Sequence, residues 1–218
     1  MTNSQTGNVI KINLPVPSTD LIAAVQSYAD SYVCDPDNKR WLDEFHGNKI
    51  NSVLHYFGNP DFLTQLIKDE FQSFFPRHEI SGMVGIMKNT QDTPACLPPH
   101  CDRSRAIGLN YFITLGGDDV KTMFYDRVEP IVGVAINIPY TEITPVEQYV
   151  FKQDWYCYNV NRCHSVENIE STRLFIAIKL VRLDLDPDQD IRGNLCDFGY
   201  TLNDFQVDYP HLCTYRSE

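Results

Sequence analysis

Ile107-Gly108-Leu109-Asn110-Tyr111-Phe112-Ile113-Thr114-Leu115, closed by Gly116-Gly117-Asp118-Asp119, is a short run of strand-forming residues that ends in turn chemistry. If it is a strand, Asn110, Phe112 and Thr114 share one face and Leu109, Tyr111 and Ile113 the other. Either face is a candidate for the interior. Comparable runs rich in Val, Ile, Phe and Tyr lie on both sides of it: Met83 to Met87, Thr122 to Tyr125, Val132 to Ile138, Glu147 to Phe151, Trp155 to Val160 and Leu174 to Val181. Val128-Glu129-Pro130 and Gln153-Asp154 punctuate them. About seven short strands at this spacing predict a double-sheet β-sandwich or jelly roll.

The N-terminal third reads differently. A polar and Pro-containing lead-in (residues 1–17) carries a short strand around Val9 to Leu14. Ser18-Thr19-Asp20 offers N-cap oxygens to a helix bearing Leu21, Ile22, Ala24, Val25 and Tyr28, which Asp35-Pro36-Asp37-Asn38 breaks. Asn59-Pro60-Asp61 starts a second helix, with a capping Asn, Pro at the first helical position and an acid in the first turn. Phe62, Leu63, Leu66, Ile67, Phe71, Phe74 and Phe75 follow at helical spacing, as a stripe facing a sheet. The chain is therefore expected to be one domain over residues 1–218. A mostly helical support spans 18–78, a jelly-roll core 80–182, and a C-terminal extension 183–218. Asp184, Asp186, Asp188 and Asp190 alternate around Pro187, but the turn Gly and terminal Glu of a calcium loop are missing, so they read as a solvated acidic linker. The aromatic tail beyond Gly193 is expected to dock back on the domain.

With 43% hydrophobic and 22% charged residues the composition is that of a globular protein. No apolar run reaches the roughly 20 residues needed to span a bilayer, and the N-terminus lacks the pattern of a signal peptide, so the expected location is cytoplasmic, with no membrane partner. A net charge of -11 argues against a general binder of phosphate backbones and so against a nucleic-acid partner. The 7 Cys are scattered without a C-x-x-C pair and read as reduced, mostly buried thiols.

Chemistry concentrates in two places. The first is Leu97-Pro98-Pro99-His100-Cys101-Asp102-Arg103, where an extended segment would point His100 and Asp102 to one side so that they could grip one metal ion. Alone this means little: 6 His and 29 acids in 218 residues supply about 0.8 such pairs by chance. The second runs from Trp155 through His164 to Arg173, with His164 ending one β-like run and Arg173 beginning the next. Two adjacent antiparallel strands would bring both into one cavity. Two imidazoles and a carboxylate on one face of a metal leave the opposite face open for a bidentate cosubstrate and O2, as in non-haem Fe(II) oxygenases. The planar fork of Arg173 suits a distant carboxylate of such a cosubstrate.

In the order His100-x-Asp102, His164, Arg173 on a jelly-roll strand pattern, the chain resembles the 2-oxoglutarate- and Fe(II)-dependent dioxygenases over residues 80 to 182. The short His-to-Arg step is similar to the prolyl-hydroxylase-like branch. His100-Cys101-Asp102-Arg103 with Gly108-Leu109-Asn110-Tyr111 also resembles amino-acid and aspartyl hydroxylases. The resemblance implies a double-stranded β-helix (cupin-like) core with flanking helices. It implies Fe(II) held by His100, Asp102 and His164, with Arg173 on the C5 carboxylate of 2-oxoglutarate. O2 would be consumed, succinate and CO2 released, and an unactivated C–H of a small-molecule or amino-acid-like substrate hydroxylated, with ascorbate as a possible stimulant. Asp102 favours hydroxylation over halogenation, while desaturation and ring closure stay open.

Asn110 or Tyr111 is a candidate for binding the cosubstrate, with a purely structural role as the alternative. Arg103 and Arg105 could bind an anionic substrate group, although ion pairs with local acids are the commoner outcome. Tyr125, Trp155 and Tyr158 are read as core aromatics rather than cavity lining. His46, His55, His78 and His211 have no acid or imidazole at ligand spacing and are read as ordinary histidines, and Cys101 and Cys163 should point away from the metal. Two other functions fit the same residues. One is a cupin-like binding domain without turnover. The other is a zinc hydrolase using the same triad, against which Arg173 argues, because hydrolysis needs no carboxylate clamp.

Overall fold

Alternation along the central strands is visible in the computed structural model, which describes residues 7–34, 53–102, 107–128, 138–182 and 200–213. Its strands are β1 (Val9–Lys11), β2 (Val53–Gly58), β3 (His78–Asn89), β4 (Ala95–His100), β5 (Ile107–Leu115), β6 (Lys121–Val128), β7 (Pro145–Tyr149), β8 (Trp155–Asn159), β9 (Arg162–Ile169) and β10 (Thr172–Arg182). Helices α1 (Thr19–Cys34), α2 (Asp61–Phe71) and α3 (Leu202–Asp208) flank them. The strands form two sheets, ordered β1-β8-β5-β10-β3-β2 and β4-β9-β6-β7. Every pairing is antiparallel.

From β3 onward the pairing is nested: β3 with β10, β4 with β9, β5 with β8, β6 with β7. Such a nest is one long double strand wound around itself, with successive pairs falling into alternate sheets. That is the jelly roll, or double-stranded β-helix, and the chain is mainly β with helices at its flank. The expected strands within residues 83–87, 107–115, 122–125, 147–151, 155–160 and 174–181 all coincide with or overlap observed ones. The expected run Val132 to Ile138, the helix break at 35–38, the acidic residues 184–190 and Arg103 and Arg105 lie outside the described residues, Ile138 excepted.

The larger sheet is covered on both faces, which is why β5 and β10 read as nearly continuous apolar runs. Ile107, Leu109, Tyr111 and Ile113 of β5, with Leu174, Ile176, Ile178 and Leu180 of β10, face the helices. Phe112, Phe175 and Ala177 face the smaller sheet. On α2, Leu63, Ile67 and Phe71 recur four residues apart and are fully buried. Phe62 and Leu66 of the expected stripe are 55% and 42% exposed, so the buried face is narrower than the sequence suggested. The helix also begins one residue later than expected, with Pro60 at the N-cap and no side-chain cap. Ser18 caps α1 through Leu21 N–H (3.2 Å) and ties it to α2 through Glu70, which accepts from both the Ser18 N–H and hydroxyl.

One expectation is corrected. β9 and β10, joined by the turn at Glu170 and Ser171, are not hydrogen-bonded neighbours; they lie in opposite sheets, and β9 lies against β3. The hydrophobic pattern specifies which residues share a face of a strand, but not which sheet the strand joins.

The described part of the tail docks as expected. Thr201 and Asp204 form a capping box on α3, and Leu202, Phe205, Tyr209 and Leu212 enter the core beneath the helices. Asn13 N–H donates to Leu212 C=O (2.7 Å), and Ile12 bridges Cys213. Among the described residues no helix is long and apolar enough to cross a membrane. Phe205 is fully enclosed, so Phe205→Ala should destabilise the protein by about 3–5 kcal/mol, read from urea unfolding. A loss under about 1 kcal/mol would show that the tail is not an integral part of the core.

Candidate functional site

The site begins with an awkward strand. Pro98 and Pro99 cannot donate to a ladder, so β4 is tolerable only at an edge, and its register against β9 shifts between Leu97 and His100. The shift sets His100 directly opposite His164 as a Cα pair, with ring centroids 4.4 Å apart. The strand stops there, so Asp102 does not reach the site by strand alternation. Its N–H donates to Val160 C=O (2.8 Å), and Pro99 C=O accepts from Ile138 N–H (2.9 Å); together these fold the segment back. Asp102 Oδ1 ends 3.7 Å from His100 Nε2, and the ligating atoms of His100, Asp102 and His164 all lie within 4.8 Å of one another.

Each imidazole is oriented by its own strand. His100 Nδ1 lies 2.7 Å from Pro98 C=O and His164 Nδ1 2.9 Å from Arg162 C=O. A carbonyl can only accept, so both rings carry their proton on Nδ1 and present the Nε2 lone pair, the tautomer a metal requires. His164 is buried, and the side chains of His100 and Asp102 retain 14% and 19% exposure, so an ion could enter.

Arg173 opens β10 on the facing sheet. It is 2% exposed, and its Nε has no hydrogen-bond partner. Among the described residues no carboxylate lies within ion-pair distance of it. The guanidinium instead stacks on Phe112 (4.5 Å to the ring centroid) and Phe151 (5.5 Å). Burial pushes its pKa down to about 10, against a small opposing influence of Tyr158. Gly116 holds the base of this strand. Its φ is +87°, its carbonyl accepts from both Glu170 and Ser171 N–H (2.8 Å each), and a Cβ there would stand 2.9 Å from Arg173 Cβ.

Triad and guanidinium line one cleft. Thr122 and Val166 complete its smaller-sheet side, while Phe112, Tyr158 and Phe175 flank Arg173 on the larger. Met87 on β3 and His55 and Phe57 on β2 line the remaining edge. Sequence reading took His55 as ordinary, and the structure places it in the cleft. Its signal was faint: β2 was not foreseen, and alternation with Phe57 acquires meaning only once the strand is known. Tyr158, read as core, also lines the cleft.

The faces of β5 are now distinguished. Asn110 points between the sheets and donates to the Tyr158 hydroxyl, fully buried and one step behind the cleft wall. Tyr111 points to the helices and packs 5.5 Å from Trp155, so the structure does not bring it to the cleft. Cys101 and Cys163 sit with Tyr125, Ile138 and Ile143 in a separate small cluster. His78 bonds Tyr209 beneath the helices, and His46 is outside the described residues.

No protein-family model and no curated protein matches the sequence. Among solved structures, a Pseudomonas putida prolyl-4-hydroxylase aligns at 13% identity and a TM-score of 0.40, covering 81% of this chain and 94% of that one. A Trichoplax adhaerens prolyl hydroxylase, solved with a peptide fragment of the hypoxia inducible factor oxygen degradation domain, aligns at 11% identity and 0.41, covering 80% and 84%. A non-heme monooxygenase in its apo form aligns at 14% and 0.38, covering 93% and 95%.

A buried cation without an anion is a cost to the fold. Arg173→Leu should therefore raise the stability of the ligand-free protein by about 1–4 kcal/mol, measured by thermal unfolding in carboxylate-free buffer. A clear loss of stability would mean that the guanidinium supports the core through its aromatic contacts.

Proposed function

We propose that this chain is a 2-oxoglutarate- and Fe(II)-dependent oxygenase acting on a C–H bond of a small substrate. The observation that carries this reading is the pairing, in one cleft, of a His-Asp-His set at the smaller sheet with a buried guanidinium on the larger that has no carboxylate partner among the described residues. A cation held dry without a counter-charge is a carboxylate receptor by its chemistry.

His100, Asp102 and His164 would hold the metal. Their donor set fits Fe(II): two neutral imidazoles and one carboxylate grouped together, with each Nε2 lone pair presented by a carbonyl-bound Nδ1–H. When bound, Fe(II) supplies the binding and activation of O2 that an unactivated C–H requires. Arg173 would accept the distal carboxylate of the cosubstrate in its planar fork, and the rings of Phe112 and Phe175 keep water from competing for it. Tyr158, whose hydroxyl accepts from Asn110, lines the cleft beside Arg173 and would donate its O–H to the cosubstrate carboxylate. Asn110 acts through that hydroxyl and so positions the cosubstrate at one remove. A zinc hydrolase would use the triad but leave Arg173 without a role.

The experiment is an anaerobic titration of the Fe(II)-loaded protein with 2-oxoglutarate, following the metal-to-ligand charge-transfer band in the visible. A saturable band should appear. Arg173→Ala should weaken 2-oxoglutarate binding by about 100-fold, as loss of a buried charge partner does. Asp102→Ala and His164→Ala should abolish both the band and succinate formation. No band in the parent protein, or an unchanged band in Arg173→Ala, removes the cosubstrate assignment. A band with no succinate formed on admitting O2 with a broad substrate panel would favour a binding domain without turnover.

A further inference from the structure

The cleft has a second end. In the larger sheet Arg173, Met87 and His55 are successive Cα partners across β10, β3 and β2. Two strand spacings of about 4.8 Å put the His55 and Arg173 backbones roughly 10 Å apart on one face. Strands β4 and β9, which carry the two imidazoles, lie against β2 and β3. The triad thus looks down on the space between Arg173 and His55.

The floor of that space is aromatic by construction. Gly85 is the Cα partner of both Phe175 and Phe57. A Cβ at Gly85 would fall inside the Phe175 ring, so only glycine lets that ring lie across β3. Phe175 then reaches Phe112 on one side (centroids 5.6 Å) and Phe57 on the other (6.1 Å). The floor runs unbroken from beneath the guanidinium to the His55 edge.

From this we infer that His55 binds the substrate, and that the portion presented to the metal is uncharged and apolar, aromatic or aliphatic, with one hydrogen-bonding group for the imidazole. The inference rests on the oxygenase reading, in which Asp102 serves the metal and Arg173 the cosubstrate. Those two are the ionic side chains among the described lining residues besides the imidazoles. A zwitterion seated on the Phe57–Phe175 floor would bury two charges with no counter-charge left for either among the described lining residues, an expense that a neutral molecule avoids. This narrows the amino-acid-like expectation to a neutral group.

A matched set of probes tests it: 3-phenylpropanol and 3-phenylpropanamide against L-phenylalanine, which shares their skeleton but carries both charges. Binding to zinc-loaded protein saturated with 2-oxoglutarate is followed by NMR of ¹⁵N-labelled histidine rings, with His55 assigned from the spectrum of His55→Gln. The neutral probes should shift the His55 ring signals and bind at least ten times more tightly than L-phenylalanine. His55→Ala should weaken them about tenfold, His55→Gln less because it keeps a hydrogen-bonding side chain, and Gly85→Ala should weaken them by displacing Phe175. Equal or tighter binding of L-phenylalanine, silence at His55, no binding by either neutral probe, or unchanged affinity in His55→Ala overturns the inference. Calorimetric titration of the same samples with 2-oxoglutarate separates the two readings. Its binding in both parent and His55→Ala leaves the oxygenase reading standing when the His55 result fails, and its absence in the parent protein defeats the oxygenase reading itself.

Discussion

A guanidinium sealed in the middle of a β-sandwich constrains everything around it. Removing a charge from water costs several kcal/mol even after the protein relaxes, and no acid among the described residues offsets that for Arg173. What the fold supplies instead is the negative faces of two phenyl rings, Phe112 and Phe151. The neighbourhood follows from that choice. An aromatic interior between the sheets gives the cation its contacts. A glycine at 116 lets the β5–β6 turn press against the base of β10, and that same turn carbonyl pins Glu170 and Ser171, the turn that leads into β10. The side chain is held with little freedom to find water, which on the proposed reading preorganises it for an anion.

The end of the cleft that would hold a metal on the proposed reading solves a different problem. Three ligands must converge, yet alternation on an ordinary strand delivers only pairs. Here the ladder shifts register across Leu97-Pro98-Pro99, the resulting cross-strand pairing of His100 with His164 supplies the second imidazole, and one backbone bond from Asp102 to Val160 brings the carboxylate round. The irregularity of β4 is what makes the site three-sided.

That irregularity also explains what the sequence could and could not tell. The strands β5, β6, β8 and β10 were legible because their runs are apolar and their ends carry turn residues. β4 was hidden by its prolines, and β9, Arg162–Ile169, by its polar residues, although Ser165 and His164 are buried. The order His100, Asp102, His164, Arg173 was legible as a set, and the structure lines one cleft with all four. That β9 and β10 belong to opposite sheets was not legible, because side-chain parity says nothing of sheet membership. Nor could parity choose between Asn110 and Tyr111: both faces of β5 are covered, one by helices and one by the opposite sheet, so neither shows the polar residues that mark a solvated side. His55 was lost with its strand.

Splitting the site between the two sheets has a mechanical consequence. The two imidazoles belong to the four-stranded layer and the guanidinium to the six-stranded one, and among the described residues no backbone hydrogen-bond ladder joins the layers. They are held by the apolar filling between them and by the turns at their rims. On the proposed reading, a dicarboxylate gripping the metal at one end and Arg173 at the other is a tie-rod between the two walls. Any sliding of one wall over the other changes its span, so the cosubstrate would be fastened best by the same arrangement it stiffens. Affinity for the cosubstrate and resistance of the sandwich to shear are then one property viewed from two directions.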